Sequence, residues 1–292
     1  MSESLDADFA AFCAAHPTRS VWVGGHRWEY IDAGAGGPPL ILLPGGFGVP
    51  ATSFRYIPAL ADNRRVIAVG YPPGLDIMAD LCDGLAALID ALGMERAWLL
   101  GGSASGFVVQ AFVRRHPSRV FGLILAQSGA PRPARARLSR ACAGLLNTLP
   151  MPLIFGLLRL SIAADLRGDS DGRRFWRGHF AEVLAQQCRA ALVSRFRLAA
   201  DFDANYQIVA QHKHDACRVA IIESAGDGMI GPAERAALRA LYPAAEVYTL
   251  VGGHNDSVER PGAQIALIRA ICASGRCATI QHSTFSIQPS AA

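Results

Sequence analysis

The sequence has no Cys-x-x-Cys pair and no even set of cysteines. Its seven (Cys13, Cys82, Cys142, Cys188, Cys217, Cys272 and Cys277) are widely spaced, which speaks against a disulfide framework or a zinc site and for core packing in a reducing compartment. It also lacks a long apolar run. The longest, Leu149 to Leu160, contains prolines, a glycine and an arginine, and it is too short to span a bilayer. Met1 to Phe12 carries acidic residues and no basic segment leading into an apolar one. No secretory signal is expected, and the location expected is cytoplasmic. There is no Walker lysine and no Gly-x-Gly-x-x-Gly. Charge is sparse, at 18% of residues with a net +4. The densest basic stretch, Arg132 to Arg140, sets four arginines among alanines and leucines and reads as a solvated helix face. Nothing supports nucleic-acid binding.

What is present is apolar material: 51% of 292 residues, ample for one large core. Val21–Val23 and Trp28–Ile31, separated by Gly24-Gly25-His26-Arg27, read as a β-hairpin. Apolar runs follow at Pro39–Leu43, Arg65–Val69, Ala97–Leu100 and Val120–Ala126. Between them, helical spacing is expected at Ser53–Leu60, from an Asp76 cap to Gly93, and from Phe107 to His116. Strands alternating with helices point to a parallel sheet wound on both faces. The rhythm breaks after Gly129. The next stretch lacks strand-like runs and reads as helices near Leu138–Leu149, Pro152–Leu166, Arg174–Val193 and Phe196–Asp201. It resumes with strands at Arg218–Ile222 and Glu246–Val251 and helices at Pro232–Leu241 and Pro261–Ala273. The expected division is a leader over 1–19, an α/β core over 20–130 and 206–273, a helical cap over 131–205, and a disordered tail over 274–292.

The most informative stretch is Leu100-Gly101-Gly102-Ser103-Ala104-Ser105-Gly106-Phe107, a strand-to-helix turn. A serine there is held on a strained bend, its hydroxyl exposed and the next amide aimed at an oxyanion. Such a turn needs small residues two places before and after the serine. Ser103 has Gly101 and Ser105; Ser105 would have the bulky Phe107. Ser103 is therefore the candidate nucleophile, with an idle serine or a phosphate loop as the bland alternative.

A serine needs a base oriented by a carboxylate, and open α/β sheets gather such groups at the carboxyl ends of strands. Of eight histidines, His254 alone follows a terminal strand through glycines. Asp227 follows Val219–Ile222 through a short loop. Glu223, nearer the strand, is the reserve acid, and Asp256 is disfavoured as too near His254 in sequence.

These motifs resemble the α/β-hydrolase fold from about Val21 to Ala273: Leu42-Leu43-Pro44-Gly45-Gly46, the turn at Ser103, His116-Pro117-Ser118-Arg119-Val120, Gly226-Asp227 and Gly252-Gly253-His254. Leu81-Cys82-Asp83-Gly84-Leu85, Arg197-Leu198, Asn205-Tyr206 and Leu241-Tyr242-Pro243 are similar to maspardin-like proteins. The resemblance implies an eight-stranded, mostly parallel sheet with helices on both faces, a helical cap and no cofactor. It implies Ser103, Asp227 and His254 as catalytic residues, and the Gly46 and Ala104 amides as the oxyanion hole. Gly45, Phe47, Leu153 and Phe155 are the candidate substrate-binding residues. Two positions depart from the family pattern: Pro44 replaces the usual His, and Ser105 the usual Gly. Maspardin is regarded as a binding protein without the catalytic histidine, whereas His254 is present here, which argues for an enzyme. The expected partner is a small acyl substrate, cleaved at an ester, thioester or lactone. Acyl release, cyclisation or transfer, and non-catalytic binding, are the alternatives.

Overall fold

Eight strands form one sheet in the order β1-β2-β4-β3-β5-β6-β7-β8, in a computed structural model that describes residues 4–46, 48–207 and 217–273. The strands are β1 (Arg19–Val23), β2 (His26–Ala33), β3 (Leu40–Leu43), β4 (Val66–Val69), β5 (Ala97–Gly102), β6 (Val120–Ala126), β7 (Arg218–Ser224) and β8 (Glu246–Leu250). The hairpin pairs Val21 with Trp28, and β2 runs antiparallel to β4. The remaining pairings are parallel. Every residue of β3 and β4 is buried, as uninterrupted apolar runs require when helices cover both faces of a sheet.

Helices α1 (Leu5–Ala15), α2 (Tyr56–Leu60), α3 (Met78–Ala91) and α4 (Ser105–Arg115) precede β6. Between β6 and β7 come α5 (Pro133–Thr148), α6 (Met151–Asp165), α7 (Asp171–Ala185) and α8 (Arg189–Asn205), then α9 (Pro232–Leu241), α10 (Asp256–Glu259) and α11 (Gly262–Ala273). The segment 1–19 contains α1, which packs through Phe9 and Phe12 on Phe54. The tail 274–292 and Phe47 lie outside the described residues.

Several helix boundaries differ from expectation: α5 begins at Pro133 rather than Leu138, α2 at Tyr56 rather than Ser53, and two further differences concern α3 and α7. Asp76 does not cap α3. The cap position is Ile77, and the Met78 amide donates to Asp201 Oδ2 of α8 at 2.8 Å. Asp76 instead accepts from Ser194 Oγ at 2.7 Å and from Arg197. A capping carboxylate supplied by a distant helix leaves no local signature. The helix expected over Arg174–Val193 is broken at Gln186–Cys188, and α8 then runs unbroken through Phe196. No glycine or proline marks that break, and beyond it α8 packs along α5.

The basic stretch is only partly a solvated face. Arg137 and Arg140 are exposed, but Arg135 clamps the fully buried Asp203 of α8 through Nε at 2.6 Å and Nη2 at 2.7 Å. Its Nη1 reaches Glu234 of α9 at 3.1 Å, and its guanidinium lies 4.6 Å from the centre of the Phe107 ring. Among the six described cysteines none is disulfide-bonded; Cys82 and Cys272 are buried, whereas Cys13 and Cys188 are exposed and so not core.

The Asp203 clamp ties α5, α8 and α9 together. Asp203→Ala should lower the free energy of unfolding in denaturant titrations by about 3 kcal/mol, the usual loss on removing one partner of a buried pair. Asp62, exposed and paired with Arg269 at 2.7 Å, is the control; its loss should change stability by less than about 1 kcal/mol.

Candidate active site

β5 and α4 are joined by Ser103 and Ala104 alone. This connection forces Ser103 to a φ of 54°, the left-handed region that L-residues avoid. A Cβ at Gly101 would stand 2.5 Å from the Ser105 carbonyl oxygen, and one at Gly106 would collide with Ser128 Oγ. Strand and helix approach so closely that glycine is required at 101, and Ser128 beyond β6 leaves no room for a side chain at 106. The Ser103 amide donates to the Ala126 carbonyl at 2.9 Å, and its own carbonyl accepts from Ser128 Oγ at 2.9 Å.

The two serines are separated by their surroundings. Ser103 Oγ lies 3.0 Å from His254 Nε2. Ser105 is 1% exposed, and its Oγ lies 2.8 Å from the Gly102 carbonyl and 3.0 Å from the Leu43 carbonyl. The hydroxyl of Ser105 thus fastens the strand-to-helix turn, the elbow, to the end of β3, immediately before Pro44-Gly45-Gly46.

His254 follows β8, and its Nδ1 lies 2.8 Å from Asp227 Oδ2. The post-strand loops that carry these residues are stitched together, the Ala225 amide donating to Leu250 O at 2.9 Å and the Gly226 amide to Gly252 O at 2.8 Å. The other carboxylate oxygen, Asp227 Oδ1, accepts from the Met229 and Ile230 amides at 2.8 Å each. Burial works against the ionised carboxylate. The His254 contact and the two amides outweigh it and hold the Asp227 carboxyl below its ordinary range. Glu223 sits within β7, where it accepts from Arg239 at 2.9 Å and Thr249 Oγ1 at 3.1 Å. Asp256 Oδ2 accepts from the Gly253 amide at 2.8 Å and so shapes the histidine loop.

A cavity of about 350 Å³ opens on Ser103 and His254, a size suited to a small molecule. Gly45 and Gly46 line it, with Leu42, Leu100 and Ala126 from the strand ends. The amides of Gly46 and Ala104 have no acceptor among the described residues. Two expected wall residues are misplaced: Leu153 and Phe155 do not line the cavity. Helix α6 carries apolar residues on both faces, and Leu153, Leu157 and Leu160 fall on its outer face, 49%, 51% and 69% exposed. Its inner face presents Leu158 and Ile162, with Leu166 just beyond and Phe180 from α7. His179 packs among Phe9, Phe175 and Trp176, away from the cavity, and His212 and His214 lie outside the described residues.

Among the lining residues that a sequence search does not find are Gln127 and Gln264. Gln127 directly follows β6. The carboxyl-end rule that selects His254 would have selected it too, had the search extended beyond acids and bases.

No protein-family model matches the chain. Maspardin of Homo sapiens is 41% identical over 106 residues, which is 35% of this chain and 34% of maspardin. A 2-hydroxymuconate semialdehyde hydrolase of Pseudomonas sp. (strain CF600) is 36% identical over 118 residues, 37% of this chain and 42% of that one. The matched segment thus spans about a third of maspardin's length. Among solved structures, a hydrolase from Pseudomonas aeruginosa PA01 aligns with a TM-score of 0.75 at 22% identity, covering 88% of this chain and 99% of that one. The enol-lactonase from Burkholderia xenovorans LB400 aligns at 0.71 and 18%, covering 88% and 100%.

Two tests follow from this geometry. Glycine relieves the left-handed strain at residue 103 and alanine does not, so Ser103→Gly should be about 1 kcal/mol more stable to denaturant than Ser103→Ala. For Asp227, a depressed carboxyl stabilises the fold above its unfolded value of about 3.9. That contribution disappears as pH falls through the lower folded value. The stability advantage of the native protein over Asp227→Asn should therefore be full near neutrality and vanish in strong acid, as followed by unfolding titrations across pH.

Proposed function

We propose that this chain, which has the α/β-hydrolase fold, is a serine hydrolase that cleaves an ester, thioester, lactone or related acyl bond of a small, partly apolar molecule. The observation that carries this reading is the unbroken run of hydrogen bonds from Ser103 Oγ through His254 to Asp227, opening on a cavity. Relatives with hydrolase names, and the enol-lactonase with the same fold, support it.

In this reading Ser103 Oγ adds to the substrate carbonyl carbon as its proton passes to His254 Nε2. Asp227 accepts from the Nδ1–H, which fixes the tautomer and stabilises the imidazolium. The amides of Ala104 and Gly46 receive the oxyanion. His254 returns the proton to the leaving oxygen, sulfur or nitrogen as the bond to it breaks, leaving an acyl group on Ser103. Water, activated by the same histidine, then releases the acid. A second nucleophile in place of water would give transfer or cyclisation at the same site. In this scheme α5 to α8, over residues 131–205, act as the cap that closes the cavity.

The identity to maspardin favours a second reading, a binding protein without turnover. A fluorophosphonate probe separates the two. The native protein and Ser105→Gly should be labelled and Ser103→Ala should not; an unlabelled native protein would reject catalysis at Ser103. Among the acids, Asp227→Asn should lower kcat on a p-nitrophenyl ester by about 10⁴-fold, as loss of a triad carboxylate does. Glu223→Gln should keep most of the activity, and the reverse order would transfer the role to Glu223.

A further inference from the structure

Among the described residues, only two that are not glycine have a positive φ: Ser103 at 54° and Gln127 at 43°. Both line the same cavity. Ser103 already has a reason to be strained. Gln127 has no part in the hydrogen-bond run to Asp227, and strain at a cavity residue that the chemistry does not use directs attention to binding.

The Gln127 side chain is held firmly. The residue is 4% exposed, and its Nε2 donates to Ser224 Oγ at 3.2 Å and to Gln264 Oε1 at 3.1 Å. Gln264, from α11, is 5% exposed and also lines the cavity. A carboxamide offers two donors and one acceptor oxygen, and each glutamine spends only one end on this arrangement. The Gln127 Oε1 has no donor, and the Gln264 Nε2 no acceptor, among the described residues. The pair leaves one acceptor and one donor over, on two residues that line a cavity whose wall also carries apolar Leu42, Leu100, Ala126 and Val258 and polar Thr52, Ser161, Asp165 and Asn255. No arginine or lysine lines the cavity among the described residues, so an anion would find no countercharge.

We propose that Gln127 and Gln264 form a recognition subsite for a neutral group that both donates and accepts a hydrogen bond, a carboxamide or a hydroxyl, on the substrate of the hydrolase reading above. Such a group satisfies both glutamines at once. A methyl group leaves them unpaired, and a carboxylate opposes Gln127 Oε1.

The subsite is tested on turnover and, independently, on binding. For turnover, p-nitrophenyl esters of one chain length ending in methyl, hydroxyl, carboxamide or carboxylate are compared by kcat/KM. The native protein should favour the hydroxyl or carboxamide ester over the other two by about tenfold or more, as sites built to hydrogen-bond a substrate do. That preference should collapse towards parity in Gln264→Leu and in Gln127→Gly, the latter removing the side chain while relieving its backbone strain. For binding, the Ser103→Ala protein is titrated calorimetrically with hexanamide and with 2-heptanone, which has the shape but no donor. Hexanamide should bind about tenfold tighter, and the difference should disappear when Gln264→Leu is added. Equal binding of the two, or an amide preference that survives Gln264→Leu, overturns the subsite. Absence of ester turnover with the binding difference intact overturns the hydrolase reading and leaves the subsite standing.

Discussion

The left-handed backbone of Ser103 is the constraint on which the rest of the site depends. A single non-glycine residue in that region costs roughly 1–2 kcal/mol, and it persists only where its surroundings over-determine it. Here they do so from three sides. Gly101 lets strand and helix touch, and Gly106 makes room for Ser128. Ser128 holds the Ser103 carbonyl, and Ser105 ties the following turn back to Leu43. Replacement of the usual glycine by Ser105 therefore adds a link between the elbow and the loop that bears Gly45 and Gly46. Parallel registers that set Leu43 against Gly101, and Gly102 against Ala126, bring these pieces to one edge of the sheet.

The histidine is secured differently, by contacts that radiate from its own segment. Tyr56 donates to the Ser257 carbonyl at 2.6 Å, Arg55 to the Glu259 carbonyl at 2.9 Å, and Arg173 of α7 to the Glu259 carboxylate at 3.0 Å. Asn255 donates to the Asp165 carbonyl of α6 at 3.2 Å. The elements that wall the cavity thus also hold the segment around His254.

Much of this was legible in the sequence because the signals are local and repetitive. Uniform apolar runs mark the buried parallel strands, Gly24-Gly25 marks the hairpin, and the bulk of Phe107 separates Ser103 from Ser105. Phe107 is indeed packed, stacked on Phe202 with centroids 4.7 Å apart. Candidate site residues could be named because each follows a strand, and the structure brings Ser103 and Asp227 each within hydrogen-bond distance of His254. What stayed hidden was non-local. Asp201 caps a helix more than a hundred residues away, and α8 breaks from α7 where no glycine or proline stands. An apolar helix such as α6 does not announce which face turns inward, so Leu153 and Phe155 looked as suitable as Leu158 and Ile162. Gln127 carries no sign of its strain, since glutamine is not a residue that ordinarily marks a left-handed turn.

The two strained residues share one structural device. The Ser103 amide continues the β5–β6 pairing one residue beyond its last partners by bonding to Ala126 O, and the Gln127 amide bonds to Ile222 O at 2.8 Å, one residue beyond β6–β7. In each case the neighbouring strand still holds the N–H when the chain has begun to turn left-handed. The sheet therefore absorbs the strain with the hydrogen bonds that build it, at the one edge where strands end and side chains can converge. Ser103 and Gln127, on adjacent strands, are placed by the same step in the ladder. That is why the convergence of side chains at this edge is a property of the topology before any particular side chain is chosen.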